Sequence, residues 1–317
     1  MLSNTLNFRT EPPATGGAGG CVDLKVRARS PIVTITEWRC TRDGEWLRRE
    51  RHHDWPALAV VRTGASRVHR RAGAVLAEPT SLVLHEPFSP YRTSHPFGCG
   101  DGGVTITIRP DVLREIQPRA ARDESAFFPV QVMTCPPRAR LRLLRLLDAA
   151  APGQAVPLLE AEDAALALAH EALSTREANR PDGGTPVRGC TLRDHGELVD
   201  RCRAFLLEHV ERRLSLSDIA KAVGSSAFHM ARVFRRTTGL TLGRYQNRLR
   251  LAMALEALSE RESGLSELAA RLGFSSHSHF SVAFRREFGV VPSRALPARA
   301  RPGPAPTGRP PASGPRP

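Results

Sequence analysis

At 317 residues, with 41% hydrophobic and 25% charged content, the chain has a soluble globular composition and room for two domains with separate cores. No apolar run approaches the ~20 residues that cross a bilayer, and Met1 to Gly20 lacks the basic-then-apolar order of a secretory signal. A cytoplasmic protein without a membrane partner is therefore expected. The formal charge of +14 favours an anionic partner such as nucleic acid. Charge alone does not prove it, because only Lys25 and Lys221 are lysines and the Arg, Ala and Pro bias is that of a GC-rich genome. Cys21, Cys40, Cys99, Cys135, Cys190 and Cys202 are scattered with no Cys-x-x-Cys pair, so neither a zinc knuckle nor a disulfide framework is expected.

From Ile32 to Ile108 the apolar residues form short β-branched runs, IVTITEW, ALAVV, SLVLHEPF and VTITI, divided by Gly and Pro signals. This predicts an all-β unit of barrel or jelly-roll type, whose interior can hold a small ligand. After Pro137 the period changes. Leu141, Leu143, Leu144, Leu146 and Leu147, and then Leu158 to Leu173, recur at helical spacing, with Pro152 and Gly153 as a break between them. The simplest expectation is an antiparallel helical pair, which either caps the β unit or supplies a dimer interface. Asn179 to Cys190, NRPDGGTPVRGC, has no periodicity and reads as a linker. The Pro- and Arg-rich segment after Leu296 cannot bury a core and reads as a disordered tail.

The strongest signal is an internal repeat. LSLSDIAKAVGSSAFHMARVFRRTTG, from Leu214, and GLSELAARLGFSSHSHFSVAFRREFG, from Gly264, align with a shift of about 50 residues. In each copy an apolar-periodic helix ends at a glycine, Gly224 or Gly273, and a second helix carries Phe-Arg-Arg near its end. A helix-turn-helix requires this order, because glycine accepts the left-handed backbone that stops the first helix and Ser225, or Ser275 and Ser276, can cap the second. Ile219, Ala220, Val223, Met230, Val233 and Phe234, and Leu268, Ala269, Leu272, Phe280 and Phe284, fit core positions. Between the copies, a helix from Leu242 to Leu258 would be roughly 25 Å long. Such a spacer can hold two recognition helices near the ~34 Å that separates successive major-groove segments on one face of a duplex.

The stretch from about Leu198 to Leu296 resembles the DNA-binding domain of AraC/XylS-type regulators, most closely in GFSSHSHFSVAFRREFGVVPSRAL from Gly273 to Leu296. The resemblance implies an α+β chain, with an N-terminal cupin-like β-barrel, a helical pair and a C-terminal all-α domain holding two helix-turn-helix units. It also implies a transcription regulator, frequently an activator, with double-stranded DNA and RNA polymerase as partners. The expected division is a flexible N-terminus at 1–25, a sensor domain with its helical or dimerisation segment at 26–178, a linker at 179–192, the DNA-binding domain at 193–296 and a tail at 297–317.

Matching family positions puts Ala227, Phe228, Ala231 and Arg232 on the groove-facing side of the first recognition helix. Arg232 is the leading base reader, with guanine as its target, and Phe228 can meet a thymine methyl. The plain alternatives are phosphate contact for Arg232 and edge packing for Phe228. In the second unit the corresponding positions are Ser276, His277, Ser278, Ser281 and Val282, and Val282 stands where many relatives carry a basic residue. His279 can equally pack beside Phe280. Arg235, Arg236, Arg285 and Arg286 are placed to touch phosphate, which orients a domain without encoding sequence. Tyr245 is read as core, and no role is assigned to Arg250.

In the N-terminal half, Trp55, His85, Phe88, Tyr91 and His95 are weak candidates for lining an effector pocket, with packing as their default. His52, His53 and His69 join the remaining histidines without the His-x-His spacing and downstream Glu of a cupin metal site, so no metal or other cofactor is expected. No nucleophile, base and orienting group can be assembled, which argues against an enzyme. The favoured reading is a regulator controlled by an unidentified small-molecule effector, possible as a homodimer. The competing readings are a cupin-type metal enzyme fused to a DNA-binding module, and an architectural DNA-binding protein without sequence preference.

Overall fold

Short runs rich in β-branched residues, buried on one face or on both, set the first half of the chain as strands, and period-3.6 burial sets the second half as helices. The computed structural model describes residues 22–41, 50–71, 73–97, 100–117, 126–128, 130–150, 156–178, 189–260 and 264–296. Its strands are β1 (Val22–Arg29), β2 (Val33–Cys40), β3 (Ala57–Gly64), β4 (Ser66–Arg70), β5 (Gly73–Ala77), β6 (Ser81–His85), β7 (Arg92–Ser94), β8 (Asp101–Ile108) and β9 (Val132–Thr134). Its helices are α1 (Pro110–Ile116), α2 (Pro137–Ala149), α3 (Leu158–Ala178), α4 (Gly189–Glu208), α5 (Leu216–Val223), α6 (Ala227–Thr238), α7 (Leu242–Glu260), α8 (Leu265–Arg271) and α9 (His277–Phe288), followed by a 3-10 turn at Pro292–Arg294. β1 starts inside the expected N-terminal segment and α4 inside the expected linker. The rest of those two segments and the tail lie outside the described residues.

The strands do not close into the expected barrel. Among the described residues they form an antiparallel six-stranded sheet in the order β1-β2-β8-β3-β6-β9 and a three-stranded sheet, β5-β4-β7. The reason is that β3 is buried on both faces, Ala57 through Val61 all being inaccessible. One face, with Val60, Leu82, Val104 and Ile106, packs under α1, α2 and α3. The other face, with Ala59, Val61 and Val83, packs on Val68 and Ala77 beside the small sheet. A sheet apolar on both sides is stable when covered on both sides. The expected helical pair is present as α2 and α3, and its leucines and alanines cover this sheet.

α2 belongs to two cores at once. Leu143, Leu146 and Leu147 enter the sheet core, whereas Leu141 and Leu144 enter the core built by α7, α8 and α9. Between these faces, Arg140 is fully buried and donates to the backbone carbonyls of Val61 (2.8 Å) and Pro79. Arg145 donates to the carbonyls of Ala295 (2.6 Å) and Arg294 (2.8 Å), beyond α9.

A polar seam completes the junction. The buried Glu78 carboxylate accepts from Arg203 on α4 (2.7 Å), Tyr245 on α7 (2.6 Å) and Thr80 N–H (2.8 Å). Burial alone would raise the Glu78 carboxyl, but the Arg203 guanidinium and the hydrogen bonds from Thr80 and Tyr245 outweigh it and hold it below the usual range. A second chain runs from Arg27 to Glu37 (2.5 Å), from Glu37 to Arg62 (2.7 Å), and from Arg62 to Glu256 on α7 (2.5 Å). Truncating one partner of a buried pair strands the other, at a cost of about 3–5 kcal/mol. Arg203→Ala is thus expected to lower chemical-denaturation stability on that scale, and Glu78→Gln on the same background to recover part of the loss.

Candidate nucleic-acid interface

Each repeat folds as two helices around a glycine turn. α5 is opened by Ser215, whose Oγ accepts from Asp218 N–H (3.1 Å) while the Asp218 carboxylate accepts from Ser215 N–H (2.9 Å). This reciprocal cap was readable as Ser-x-x-Asp before an apolar helix. α5 stops at Gly224, whose φ of 64° lies in the left-handed region. Ser226, not Ser225, caps α6, its Oγ accepting from His229 N–H (3.2 Å). The Ser225 hydroxyl instead faces the Ser226 carbonyl at 3.4 Å. In the second unit Gly273 has φ 73°, and Ser276 caps α9 by accepting from His279 N–H (3.1 Å).

The predicted core residues are buried in two adjoining clusters, one around Ile219, Met230 and Phe234 and one around Leu268, Phe280 and Phe284. The outward faces carry the proposed readers. On α6, Phe228 is 79% exposed, Arg232 is exposed, and Ala227 and Ala231 are half-buried beside them. On α9, Val282 is 68% exposed, His277 and Ser278 are exposed with the cap Ser276, and Ser281 is half-buried, its hydroxyl 3.5 Å from His277 Nε2. Arg235, Arg236, Arg285 and Arg286 are all exposed in the last turns of the two helices. An open groove of about 870 Å³ runs from Phe228 and Arg232 to Arg236 and Gly243. His279 packs edge-on against Phe274 and faces Ser275 Oγ at 3.0 Å, so it supports the turn.

α7 spaces the two units. Its 19 residues give a length of about 28 Å at the helical rise, and Arg248 pairs with Glu287 of α9 at 2.6 Å. The unassigned Arg250 is buried and ties the units together. It donates to the carbonyls of Val210 and Arg212, both at 2.7 Å, and of Gly273 at 3.3 Å. No local motif announces this role, because its three acceptors are backbone carbonyls of two distant segments. Tyr245 is core by its ring, edge-on to Phe234, and a seam donor by its hydroxyl.

A family model described as a helix-turn-helix domain matches residues 219–297. The regulatory protein SoxS of Salmonella typhimurium is 34% identical over 99 residues, which are 31% of this chain and 92% of SoxS. The chain belongs to the AraC/XylS family. The HTH-type transcriptional activator RhaS of Escherichia coli strain SE11 is 38% identical over 89 residues, covering 28% of this chain and 32% of RhaS. An AraC-type transcriptional regulator from Chromobacterium violaceum is a structural neighbour at 30% identity and TM-score 0.32, over 34% of this chain and 96% of that one. As a family member the protein is a DNA-binding transcription regulator.

The sensor-side candidates do not all meet in this AraC/XylS member. His85 and Tyr91 do, with ring centroids 4.4 Å apart, and His53 joins them, its Nε2 lying 3.1 Å from the Tyr91 hydroxyl. Arg70 lies 3.2 Å from His85 Nδ1. Trp55 is half-buried with its indole N–H enclosed and without an acceptor among the described residues. Phe88 points outward, 57% exposed, and His95 is buried against Asp101 instead. Burial pushes the thiols of Cys135 and Cys202 up to about 11, which removes them from thiolate chemistry.

Burial, then His52, Arg51 and Arg70, push His53 down to about 4, and burial, His53 and Arg70 push His85 well below the usual imidazole range. Both folded values lie below the unfolded 6.5, so the contribution is complete above that pH and is lost as pH falls towards 4. Stability is expected to drop by about 3 kcal/mol across this window from His53 alone, with a further loss from His85. Denaturation midpoints between these pH values should show a shallower slope for His53→Gln than for the parent.

Proposed function

We propose that the protein is a sequence-specific transcription activator that reads two adjacent major-groove segments with α6 and α9 and is controlled by a small molecule bound in its N-terminal half. The observation that carries this reading is the two-sidedness of both recognition helices. Their inner faces build the two helical cores, and their outer faces stay open although the β-sheet half packs against α4, α7 and α9. Arg232 reads guanine, Phe228 contacts a thymine methyl, and Ala227 and Ala231 allow close approach of the helix. The second unit reads mainly through His277 and Ser278, with Ser276 and Ser281 at its rim, and Val282 makes an apolar contact. Arg235, Arg236, Arg285 and Arg286 hold phosphates.

Residues 26–178 act as the sensor, joined through 179–192 to the DNA-binding domain at 193–296. The effector binds near His85 and Tyr91, and Trp55 is a further candidate, its enclosed indole N–H offering a donor to a ligand acceptor. β6 links this place to the seam, because His85 ends the strand and Ser81 begins it, accepting from Arg203 at 2.8 Å. Binding is transmitted along β6 to Glu78, Arg203 and Tyr245, and so to α4 and α7. RNA polymerase is the downstream partner, and a homodimer is the working assembly.

Selection of bound duplexes from a random pool by the full chain tests the DNA reading. The expected product is a two-block site. Arg232→Ala should lose about 1–3 kcal/mol of preference at one position in one block. Arg235→Ala should weaken all sequences alike and lower the salt slope by about 1. Salt-sensitive binding with no enriched sequence, or uniform weakening by Arg232→Ala, contradicts the assignment.

A further inference from the structure

Cys40, His95 and Asp101 lie far apart in sequence but meet where the two sheets join. Cys40 ends β2 and Asp101 opens β8, and the two are register partners across the antiparallel ladder. His95 directly follows β7 of the smaller sheet. All three residues are buried, and one donor atom from each, the Cys40 sulfur, a His95 ring nitrogen and an Asp101 carboxylate oxygen, lies within 4.8 Å of the other two. His95 Nε2 and Asp101 Oδ1 are 2.6 Å apart.

The backbone around the cluster is held unusually close. A Cβ on Gly100 would fall 2.0 Å from the Cys40 carbonyl oxygen, and one on Gly64, which has φ +66°, would fall 1.8 Å from the Gly100 carbonyl oxygen. Only glycine fits either position, and the resulting approach of β2, β3 and β8 brings the Cys40 and Asp101 side chains together.

We propose that Cys40, His95 and Asp101 form a binding site for a divalent transition-metal ion of zinc type. The donor set is one soft sulfur, one imidazole nitrogen and one carboxylate oxygen, which suits Zn²⁺ rather than Mg²⁺ or Ca²⁺. Charge supports the same choice. A thiolate and a carboxylate neutralise a divalent ion while the imidazole stays neutral, and a net-neutral cluster is what a buried position tolerates. On loading, the Cys40 thiol proton leaves to solvent, and the ion takes the place of the proton held between His95 Nε2 and Asp101 Oδ1, which moves to His95 Nδ1 so that the imidazole stays neutral. The His95 and Asp101 atoms then take up bonds of about 2.0–2.2 Å to the ion, and the sulfur one of about 2.3 Å. Three protein donors leave a tetrahedral position for water. No His-x-His spacing marks these donors in the sequence. This set draws one residue from each of three strand ends, which only the topology brings together.

The test is titration of the full-length, chelator-treated chain with Co²⁺, whose thiolate charge-transfer band reports a Co–S bond, followed by displacement with Zn²⁺. The expected result is saturation at one ion per chain, loss of the band in Cys40→Ala and loss of tight binding in Asp101→Asn, with circular dichroism showing both variants folded. Absence of the band in the parent, or its persistence in Cys40→Ala, overturns the site. Should the variants fail to fold, X-ray absorption of the Zn²⁺-loaded parent decides. A single sulfur with lighter donors supports the site, and no sulfur or several overturn it.

Discussion

A buried carboxylate in the β half, Glu78, holds the two halves of the molecule in one arrangement because its cation and one of its hydroxyl donors come from helices of the other half. Arg203 and Tyr245 reach it from α4 and α7; loss of Arg203 would strand the Glu78 charge out of water, and loss of Tyr245 would remove one of its hydrogen-bond donors. Hydrophobic packing reinforces the same junction through α2, whose leucines divide between the sheet core and the second helical core. Directional polar contacts inside an apolar contact favour one docking geometry over its neighbours, whereas packing alone tolerates sliding. The Arg62 to Glu256 pair extends this constraint to the C-terminal part of α7.

The junction lies away from the recognition faces. α6 and α9 turn their aromatic and aliphatic residues inwards and leave Arg232, His277 and the terminal arginines in solvent. A regulator with open reading surfaces can be controlled by changing the relation between its two readers rather than by covering them. α7 is the element on which such control would act, because it is at once the spacer between the units, the carrier of Tyr245 and Glu256, and the strut that Arg250 fastens to both.

The helical half was legible because its signals are local and repeated. Glycine stops, the Ser276 cap, the Phe-Arg-Arg ends and the period-3.6 core lie within each copy, and the second copy checks the first. The shift of the first cap from Ser225 to Ser226 is the error expected when two serines follow one another. The strands of the β half were legible, but their closure was not. Whether strands close into a barrel depends on what covers each face, and α2 and α3 are supplied by a later part of the chain. Long-range polar contacts left no local trace at all. Glu78, Arg140, Arg203 and Arg250 are ordinary charged residues in sequence, and their roles come from partners up to 167 positions away, as between Glu78 and Tyr245. The same distance hid the meeting of Cys40 with His95 and Asp101, which takes His95 away from His85 and Tyr91.

Hydroxyl-radical footprinting of the full chain on an enriched duplex addresses the central claim most directly, because it reads both helix-turn-helix units in one molecule. Two protected windows about 10–10.5 base pairs apart, on one face of the duplex, are the outcome predicted by two readers held on a single rigid α7. A single window, or two windows on opposite faces, would contradict it.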